Sequence, residues 1–314
     1  MGTYLVTGGA GFIGSHIAAA LVERGERVRV LDNLSTGHRK NLTAIEDEIE
    51  FVKGDLVDRV AVDRALDGVE VVFHQAALAS VPRSVVAPLD TNAACVTGTV
   101  NLLDAARYCG VRRVVYAGSS SAYGDQPTPE KHEGLLPSPV SPYAAAKMAG
   151  ELYCQAFTAT YGLETVTIRY FNVFGPRQDP QSQYAAVIPK FITEILAGRR
   201  PTIFGDGRQS RDFTYIDNIV HGNLLAANAP AAVGKTINVA CGQQYNLLQL
   251  MAAINKALGT SVEPIFAAAR AGDVRESLAD ISLARQLLNY EPTVDFDEGL
   301  RRTVDYYQQM ATKN

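Results

Sequence analysis

The sequence predicts an α/β protein: a doubly wound parallel sheet covered by helices on both faces, followed by a smaller α/β C-terminal lobe. Three features predict it. Short β-branched runs alternate with longer segments of helical spacing through the first half of the chain, as successive βαβ units require. A glycine-rich loop lies between the first such run and the first helical segment. After Tyr170 the elements shorten and turn-forming residues multiply.

Taken in order, strands are expected near 4–7, 28–32, 50–53, 69–74, 113–118 and 165–170. Runs such as Val71-Val72-Phe73 are apolar at consecutive positions, the pattern of strands buried on both faces. Helical spacing covers 12–24 and 85–108, and the helix at 141–161 opens with Ser141-Pro142, a capping residue followed by a proline suited to the first helical position. Beyond Tyr170, Phe174-Gly175-Pro176-Arg177-Gln178-Asp179-Pro180 and Phe204-Gly205-Asp206-Gly207-Arg208 read as turns. Two more strands, 236–239 and 262–266, and helices near 247–258, 282–288 and 297–309 complete the chain. There is no repeat at solenoid spacing and no low-complexity tract.

With 314 residues, 47% of them hydrophobic, the chain has material for one large domain or two and is not mainly disordered. Lys and Arg number 29 against 33 Asp and Glu, a net charge of −4, so no chain-wide field favours nucleic acid. Cys95, Cys109, Cys154 and Cys241 are scattered and form no CxxC pair, which speaks against a zinc site or a disulfide framework. They are expected to be buried thiols in a reducing compartment. No apolar run reaches the ~18 residues that span a bilayer, and the chain enters its first strand without a basic leader. A soluble cytoplasmic protein is expected, with no metal and no membrane or nucleic-acid partner.

Thr7-Gly8-Gly9-Ala10-Gly11-Phe12-Ile13-Gly14 is spaced GxxGxxG. Gly8 permits a tight turn, Gly11 lets backbone approach a pyrophosphate at the helix N-terminus, and Gly14 is expected to let the helix lie close on the sheet. Alone, such a loop is more readily an ordinary turn. Its weight comes from the strand–loop–helix setting and from Asp32, 18 residues after Gly14 at the end of the second strand. A carboxylate there accepts hydrogen bonds from a ribose 2′-hydroxyl and repels a 2′-phosphate, which favours NAD over NADP.

Tyr143 and Lys147 are four residues apart at the start of a helix, so they share a face. A phenol titrates near pH 10, and serving as a base at pH 7 costs about 4 kcal/mol of depression. The Lys147 ammonium and the positive helix end are expected to supply part of it. Gly118-Ser119-Ser120-Ser121 follows the fifth strand, whose C-terminal end opens where such sheets bind ligands, so a serine hydroxyl there can share a proton with the phenol. Without the tyrosine and lysine, the three serines are equally an ordinary strand exit.

With these residues in place, the chain resembles the extended short-chain dehydrogenase/reductase family, among them the UDP-hexose 4-epimerases, and is most similar to the branch acting on UDP-N-acetylglucosamine. The likeness extends through His74-Gln75-Ala76-Ala77, Ser80-Val81-Pro82-Arg83-Ser84, Arg169-Tyr170-Phe171-Asn172-Val173-Phe174-Gly175, Tyr184-Ala185-Ala186-Val187-Ile188-Pro189-Lys190 and Ser210-Arg211-Asp212-Phe213. It implies a Rossmann-type NAD-binding domain over 1–172 and about 212–242, and a nucleotide-sugar lobe over about 173–211 and 243–314. It implies NAD held by Gly8, Gly11, Phe12, Ile13, Asp32, Asn33, Asp55, Leu56, Ala76 and Tyr170, with Tyr143 and Lys147 on the nicotinamide ribose. Ser119, Tyr143 and Lys147 are the implied catalytic residues. The UDP-sugar falls to Ser80, Ser119, Ser120, Tyr143, Asn172, Gln178, Val187, Arg211, Arg270 and Ser277, with the two arginines on the diphosphate, a task their planar fork suits.

Two departures choose within the family. Related 4,6-dehydratases carry Asp-Glu where this chain has Ser120-Ser121, so the groups for water elimination are missing. Glucose-restricted epimerases place a tyrosine at the position of Ser277, and a small residue there leaves room for a 2-acetamido group. The resemblance therefore implies reversible C4 epimerisation of UDP-GlcNAc and UDP-GalNAc, and of UDP-glucose and UDP-galactose, through a 4-keto sugar in a homodimer paired through 85–108 and 141–161. The alternatives are an epimerase or reductase for UDP-uronic acids or UDP-pentoses, or a non-catalytic NAD-binding sensor.

Overall fold

Alternation along each strand explains the apolar runs. Leu5, Leu31, Val72 and Val114 enter one buried cluster, while Val6, Val30, Phe73 and Val115 enter another on the opposite face. Each strand is therefore covered on both sides and reads as nearly continuous hydrophobe. The computed structural model describes residues 2–128, 130–180, 186–269 and 275–312.

The central sheet has seven parallel strands: β1 (Thr3–Thr7), β2 (Arg27–Asp32), β3 (Ile49–Lys53), β4 (Val69–His74), β5 (Arg113–Ser119), β6 (Glu164–Tyr170) and β7 (Thr236–Val239). Their spatial order is β7-β6-β5-β4-β1-β2-β3. The direction of winding reverses between β1 and β4, and that reversal opens a crevice beyond their C-terminal ends. The helices are α1 (Phe12–Glu23), α2 (Arg59–Leu66), α3 (Val81–Val86), α4 (Pro88–Asn92), α5 (Gly98–Tyr108), α6 (Pro142–Tyr161), α7 (Val187–Leu196), α8 (Ile216–Ala226), α9 (Leu247–Leu258), α10 (Ser282–Leu288) and α11 (Phe296–Thr312). Small strands build the second lobe. In one four-stranded sheet Arg211 pairs with Ser277 and Ser210 with Asn246.

The single helix expected over 85–108 is broken. Ala87 takes φ −132° between α3 and α4, because the ring of Pro88 disfavours helical backbone in the residue before it. A π-helical turn, Ala93–Thr97, then buries Cys95. Three helices are not evident in the sequence pattern. α2 has only eight residues. α7 carries Pro189 in its first turn, where no intrahelical donor is lost. α8 buries Asn218 and Asn223, which spoils its apolar pattern; Asn218 donates to Val294 O at 2.7 Å and Asn223 to Ile219 O at 2.8 Å. The strand expected at 262–266 lies at Ile265–Ala267. The cysteines are not uniformly buried either: Cys95 and Cys154 are, Cys241 is half-buried, and Cys109 is exposed because it caps the solvent-facing end of α5. Among the described residues no helix is long and apolar enough to cross a membrane.

α6 is the element on which the site depends. Ser141 Oγ accepts from Ala144 N at 3.2 Å, Pro142 begins the helix, and Gly162 ends it at φ 70°. Midway, Glu151 receives a bidentate pair from Arg169 on β6, at 3.0 Å from Nε and 2.7 Å from Nη2, with both side chains 3% exposed. Two desolvated charges are tolerated only in such geometry. Replacing Arg169 by Met is expected to cost about 3–5 kcal/mol by stranding the carboxylate. The double variant Arg169→Met, Glu151→Leu should recover most of that loss. Urea midpoints at unchanged m-value measure both.

Candidate active site

The walls of the crevice come almost entirely from strand ends and the loops attached to them. Gly8 and Gly11 come from the loop after β1, Phe12 and Ile13 from the first turn of α1, Leu31 and Asp32 from the end of β2, and Gly54 to Leu56 from beyond β3. Gln75 to Ala79 succeed β4, Ala117 and Gly118 end β5, and Tyr170 ends β6. Tyr143 and Lys147 of α6 and Ala94 of the π-helical turn complete it around a space of about 270 Å³. All the residues implied for NAD line this one cleft: Gly8, Gly11, Phe12, Ile13, Asp32, Asn33, Asp55, Leu56, Ala76, Tyr143, Lys147 and Tyr170.

Gly8 has φ +66°, and a Cβ there would stand 2.7 Å from the Ala76 backbone, so only glycine keeps both the turn and the close approach of the β4 loop. A Cβ on Gly14 would meet Gly8 O at 2.3 Å and Gly9 Cα at 2.8 Å. The expected contact of helix with sheet is thus a contact of helix with the loop itself. Asp32 Oδ2 accepts from Ala10 N at 2.9 Å and Oδ1 from Leu34 N at 2.8 Å. Burial raises its pKa, although those two backbone bonds oppose the shift. Each oxygen retains a lone pair for a ligand hydroxyl. Asn33 Nδ2 donates to Asp55 Oδ2 at 2.6 Å, linking the ends of β2 and β3.

At the other end of the cleft, Lys147 Nζ donates to Ala117 O at 2.9 Å and lies 5.0 Å from the centre of the Tyr116 ring. Burial lowers its pKa. Burial raises that of the Tyr143 phenol, with the thiol of Cys95 adding to the rise and a hydrogen bond to Ser119 opposing it. The depression expected from Lys147 is therefore not what this cleft provides by itself: the ammonium spends a hydrogen bond on a carbonyl, and desolvation acts against both charged forms. Ser84, which carries no signal of its own in the sequence, accepts from Tyr143 N at 3.0 Å and donates to Val81 O at 2.6 Å, tying the first turn of α6 to α3.

Beneath the β4 loop runs a chain of hydrogen-bonded polar side chains. Ala76 N donates to Thr7 Oγ1 at 3.3 Å, Thr7 Oγ1 bonds His74 Nδ1 at 2.8 Å, and His74 Nε2 bonds Thr99 Oγ1 at 2.9 Å. Thr99 in turn donates to Cys95 O at 2.7 Å, which assigns the proton to Nε2. His74 is fully buried, and its pKa is pushed down to about 3, chiefly by desolvation and then by Lys147.

A second cavity, also about 270 Å³, is lined by Phe174, Val187, Phe191, Phe204, Phe213 and Leu247, with Lys190, Gln209 and Arg211 among its polar members. Asn172 also faces it, at φ +32°, and its Nδ2 donates to Asp212 O at 3.2 Å. Arg211 Nη1 donates to Ser210 O at 2.8 Å. Asp212, completely buried, accepts from Gly242 N at 2.9 Å, Cys241 N at 3.1 Å and Ala279 N at 3.3 Å. It thereby pins two other segments beside Arg211, and burial pushes its carboxyl up to about 7. Aromatic faces with an arginine at the edge suit a base followed by phosphates.

The remaining sequence candidates fall outside both walls. Ser80 caps α3, accepting from Arg83 N at 3.2 Å. Ser120 begins a short 3₁₀ turn, Ser120–Tyr123. Gln178 Nε2 donates to Val173 O at 3.1 Å, while its buried Oε1 has no hydrogen-bond partner among the described residues. Ser277 stands half-buried on the strand next to Arg211. Arg270 lies outside the described residues, as do Tyr184 and Ala185. Gln75 has no role assigned by its motif alone. Its position just past a strand end is the signal that marks it, and the structure places it on the cleft wall, where Tyr170 Oη bonds it at 3.0 Å.

The family model described as the NAD dependent epimerase/dehydratase family matches residues 4–240. The UDP-glucose 4-epimerase of Mycolicibacterium smegmatis is 42% identical over 311 residues, 98% of this chain and 99% of its own. The solved UDP-N-acetylglucosamine 4-epimerase from Methanobrevibacter ruminantium, in complex with UDP-N-acetylmuramic acid, has a TM-score of 0.94 at 41% identity, covering 98% of this chain and 99% of that one. The UDP-glucose 4-epimerase of Thermotoga maritima with UDP-glucose has a TM-score of 0.94 at 37% identity, with the same shares covered.

The buried imidazole makes stability depend on pH. An unfolded histidine takes a proton near pH 6.5 and folded His74 only near about 3, so the unfolded chain binds the extra proton throughout that window. Stability should fall as pH drops from about 6 towards 4, by about 1.4 kcal/mol per unit from this group. Denaturant unfolding at several pH values should show a shallower slope for His74→Gln than for the parent chain.

Proposed function

This chain belongs to the NAD dependent epimerase/dehydratase family, and from that membership and the geometry of its two cavities we propose that it is a UDP-hexose 4-epimerase working with bound NAD. The observation that carries the reading is the Tyr143 phenol, sharing with Lys147 the wall of a dinucleotide-sized cleft just beyond the end of β5, where Ser119 acts to lower its pKa. The residues present fit the cofactor. The Gly8 turn leaves backbone amides at the start of α1 for the diphosphate, and Asp32 keeps acceptor capacity for a ribose hydroxyl. Asn33, Asp55, Leu56, Ala76 and Tyr170 enclose it, and residues 1–172 with about 212–242 form its domain.

When bound, NAD supplies a carbon that takes hydride from C4 of the sugar and returns it to the opposite face, through a 4-keto sugar, and places positive charge near the phenol. Tyr143 accepts the proton of the 4-hydroxyl and later gives it back, and Ser119 donates a hydrogen bond to the phenol oxygen throughout. Lys147 holds the nicotinamide ribose and favours the phenolate by its charge. The lobe over about 173–211 and 243–314 holds UDP, with Phe174 and Phe213 near the base, Val187 beside them, and Arg211 and Arg270 on the diphosphate. Asn172 and Gln178 orient the nucleotide, while Ser80, Ser120 and Ser277 border the sugar. The sugar, held by fewer groups than the nucleotide, turns between the two hydride steps. Small Ser277 beside Arg211 supports UDP-GlcNAc as a substrate along with UDP-glucose.

The protein is also proposed to be a cytoplasmic homodimer. All four cysteines are unbridged, as in a reducing compartment. Val85, Val86 and Leu89 on α3 and α4, and Leu152 and Tyr153 on the neighbouring α6, are exposed together, and an apolar patch of this kind fits a two-fold interface.

Two experiments test these readings. Incubated separately with UDP-GlcNAc and UDP-glucose and followed by NMR, the protein as purified should equilibrate the C4 epimers without added NAD and release NAD on denaturation. Tyr143→Phe should keep nucleotide binding and lose about 10²–10⁴-fold in turnover; conversion of glucose alone would refute the inference from Ser277, and demand for stoichiometric NAD would indicate a dehydrogenase. In sedimentation, the protein should run as a dimer and Leu89→Glu as a monomer.

A further inference from the structure

We propose that Ser121, outside both cavities, is a positioning residue that locks Ser119 as a hydrogen-bond donor to the Tyr143 phenol oxygen; the proposal rests on the epimerase reading above. A serine hydroxyl has one proton and two lone pairs. Ser119 Oγ accepts from Ser121 N at 3.2 Å and from Ser121 Oγ at 2.8 Å, so both lone pairs are used by one residue. Only the proton remains to be turned towards the Tyr143 phenol, whose pKa Ser119 acts to lower.

The lock is built into the chain. Ser119 ends β5 and Ser121 sits in the 3₁₀ turn directly after it. That turn is anchored by Gly124 N to Ser121 O at 3.2 Å, Ser138 N to Ala122 O at 3.0 Å and Tyr123 Oη to Asn238 Oδ1 at 2.7 Å. A donor to the phenol oxygen stabilises the phenolate, whereas an acceptor would hold the phenol proton in place. In the forward step the sugar O–H bond breaks as the Tyr143 O–H bond forms, and Ser119 keeps its own proton; the return step reverses this. The titratable groups about the phenol are Lys147 on its own helix, Cys95 from the π-helical turn and Tyr116 from β5, and all three are retained when Ser121 is replaced. Without the Ser121 hydroxyl, one Ser119 lone pair opens, and Ser119 can rotate to accept from the neutral phenol.

The test compares Ser121→Ala, Ser121→Thr and the parent enzyme, each loaded with NAD. For Ser121→Ala, the acid limb of the kcat profile should move up by about half to one pH unit and kcat at pH 7 should fall about three- to tenfold, with KM within about twofold. The phenolate absorbance, taken as an ultraviolet difference against Tyr143→Phe, should titrate higher by the same shift. Ser121→Thr, which keeps the hydroxyl, should restore both. A parent-like profile and phenol titration in Ser121→Ala, or a Ser121→Thr enzyme that behaves like Ser121→Ala, would overturn the proposal. Should the parent protein convert no UDP-hexose, the epimerase reading fails, and the phenol titration still decides the wiring.

Discussion

The rest of the site depends on the ion pair between Arg169 and Glu151. Helix α6 carries Tyr143 and Lys147 in its first two turns and Glu151 one turn further on, so fixing Glu151 to β6 sets where phenol and ammonium meet the cleft. Buried charge pairs contribute little net stability. What this one provides is direction, because a planar guanidinium and a carboxylate bond bidentately in one orientation. The same guanidinium lies 4.5 Å from the ring of Tyr123, in the turn that carries Ser121. Helix, strand and serine turn are thus aligned by a single side chain.

Desolvation is the force that the proposed chemistry works against. Burial raises the pKa of the phenol and lowers that of the ammonium, so in the unliganded cleft desolvation acts against the charged form of each. A proton-accepting tyrosine then needs charge and donors supplied from outside its own helix. In the proposed mechanism Ser119 is one such donor, and the positive charge of bound NAD is the other. In that mechanism the base is coupled to cofactor occupancy.

The two cavities are built in the way the proposed reaction demands. The dinucleotide cleft is walled by strand ends, and its floor is cross-linked by the chain from Thr7 through His74 to Thr99. The second cavity combines aromatic rings with Arg211 and rests on Asp212, whose carboxylate gathers backbone amides from two other segments. Both are framed by fixed backbone, as suits two nucleotides that stay in place while the sugar between them turns over.

Much of this was legible in the sequence. Local pattern determined the strands of the sheet, the glycine loop, Asp32, and the Tyr143 and Lys147 pair, because each comes from periodicity or from spacing along one element. Matching motifs extended that list to the residues implied for NAD, which line the one cleft, and to Asn172, Val187 and Arg211 of the second cavity, while Ser80, Ser120, Gln178 and Ser277 fall outside both. Local pattern could not supply the break at Ala87, the helix with its buried asparagines, or the role of Asp212, since these answer to the packing of the surrounding chain. Nor could it show that Lys147 bonds a carbonyl, that Ser84 holds the start of α6, or that Ser121 fills the lone pairs of Ser119. Hydrogen-bond direction and desolvation are properties of what surrounds a group, and only the folded chain decides its surroundings.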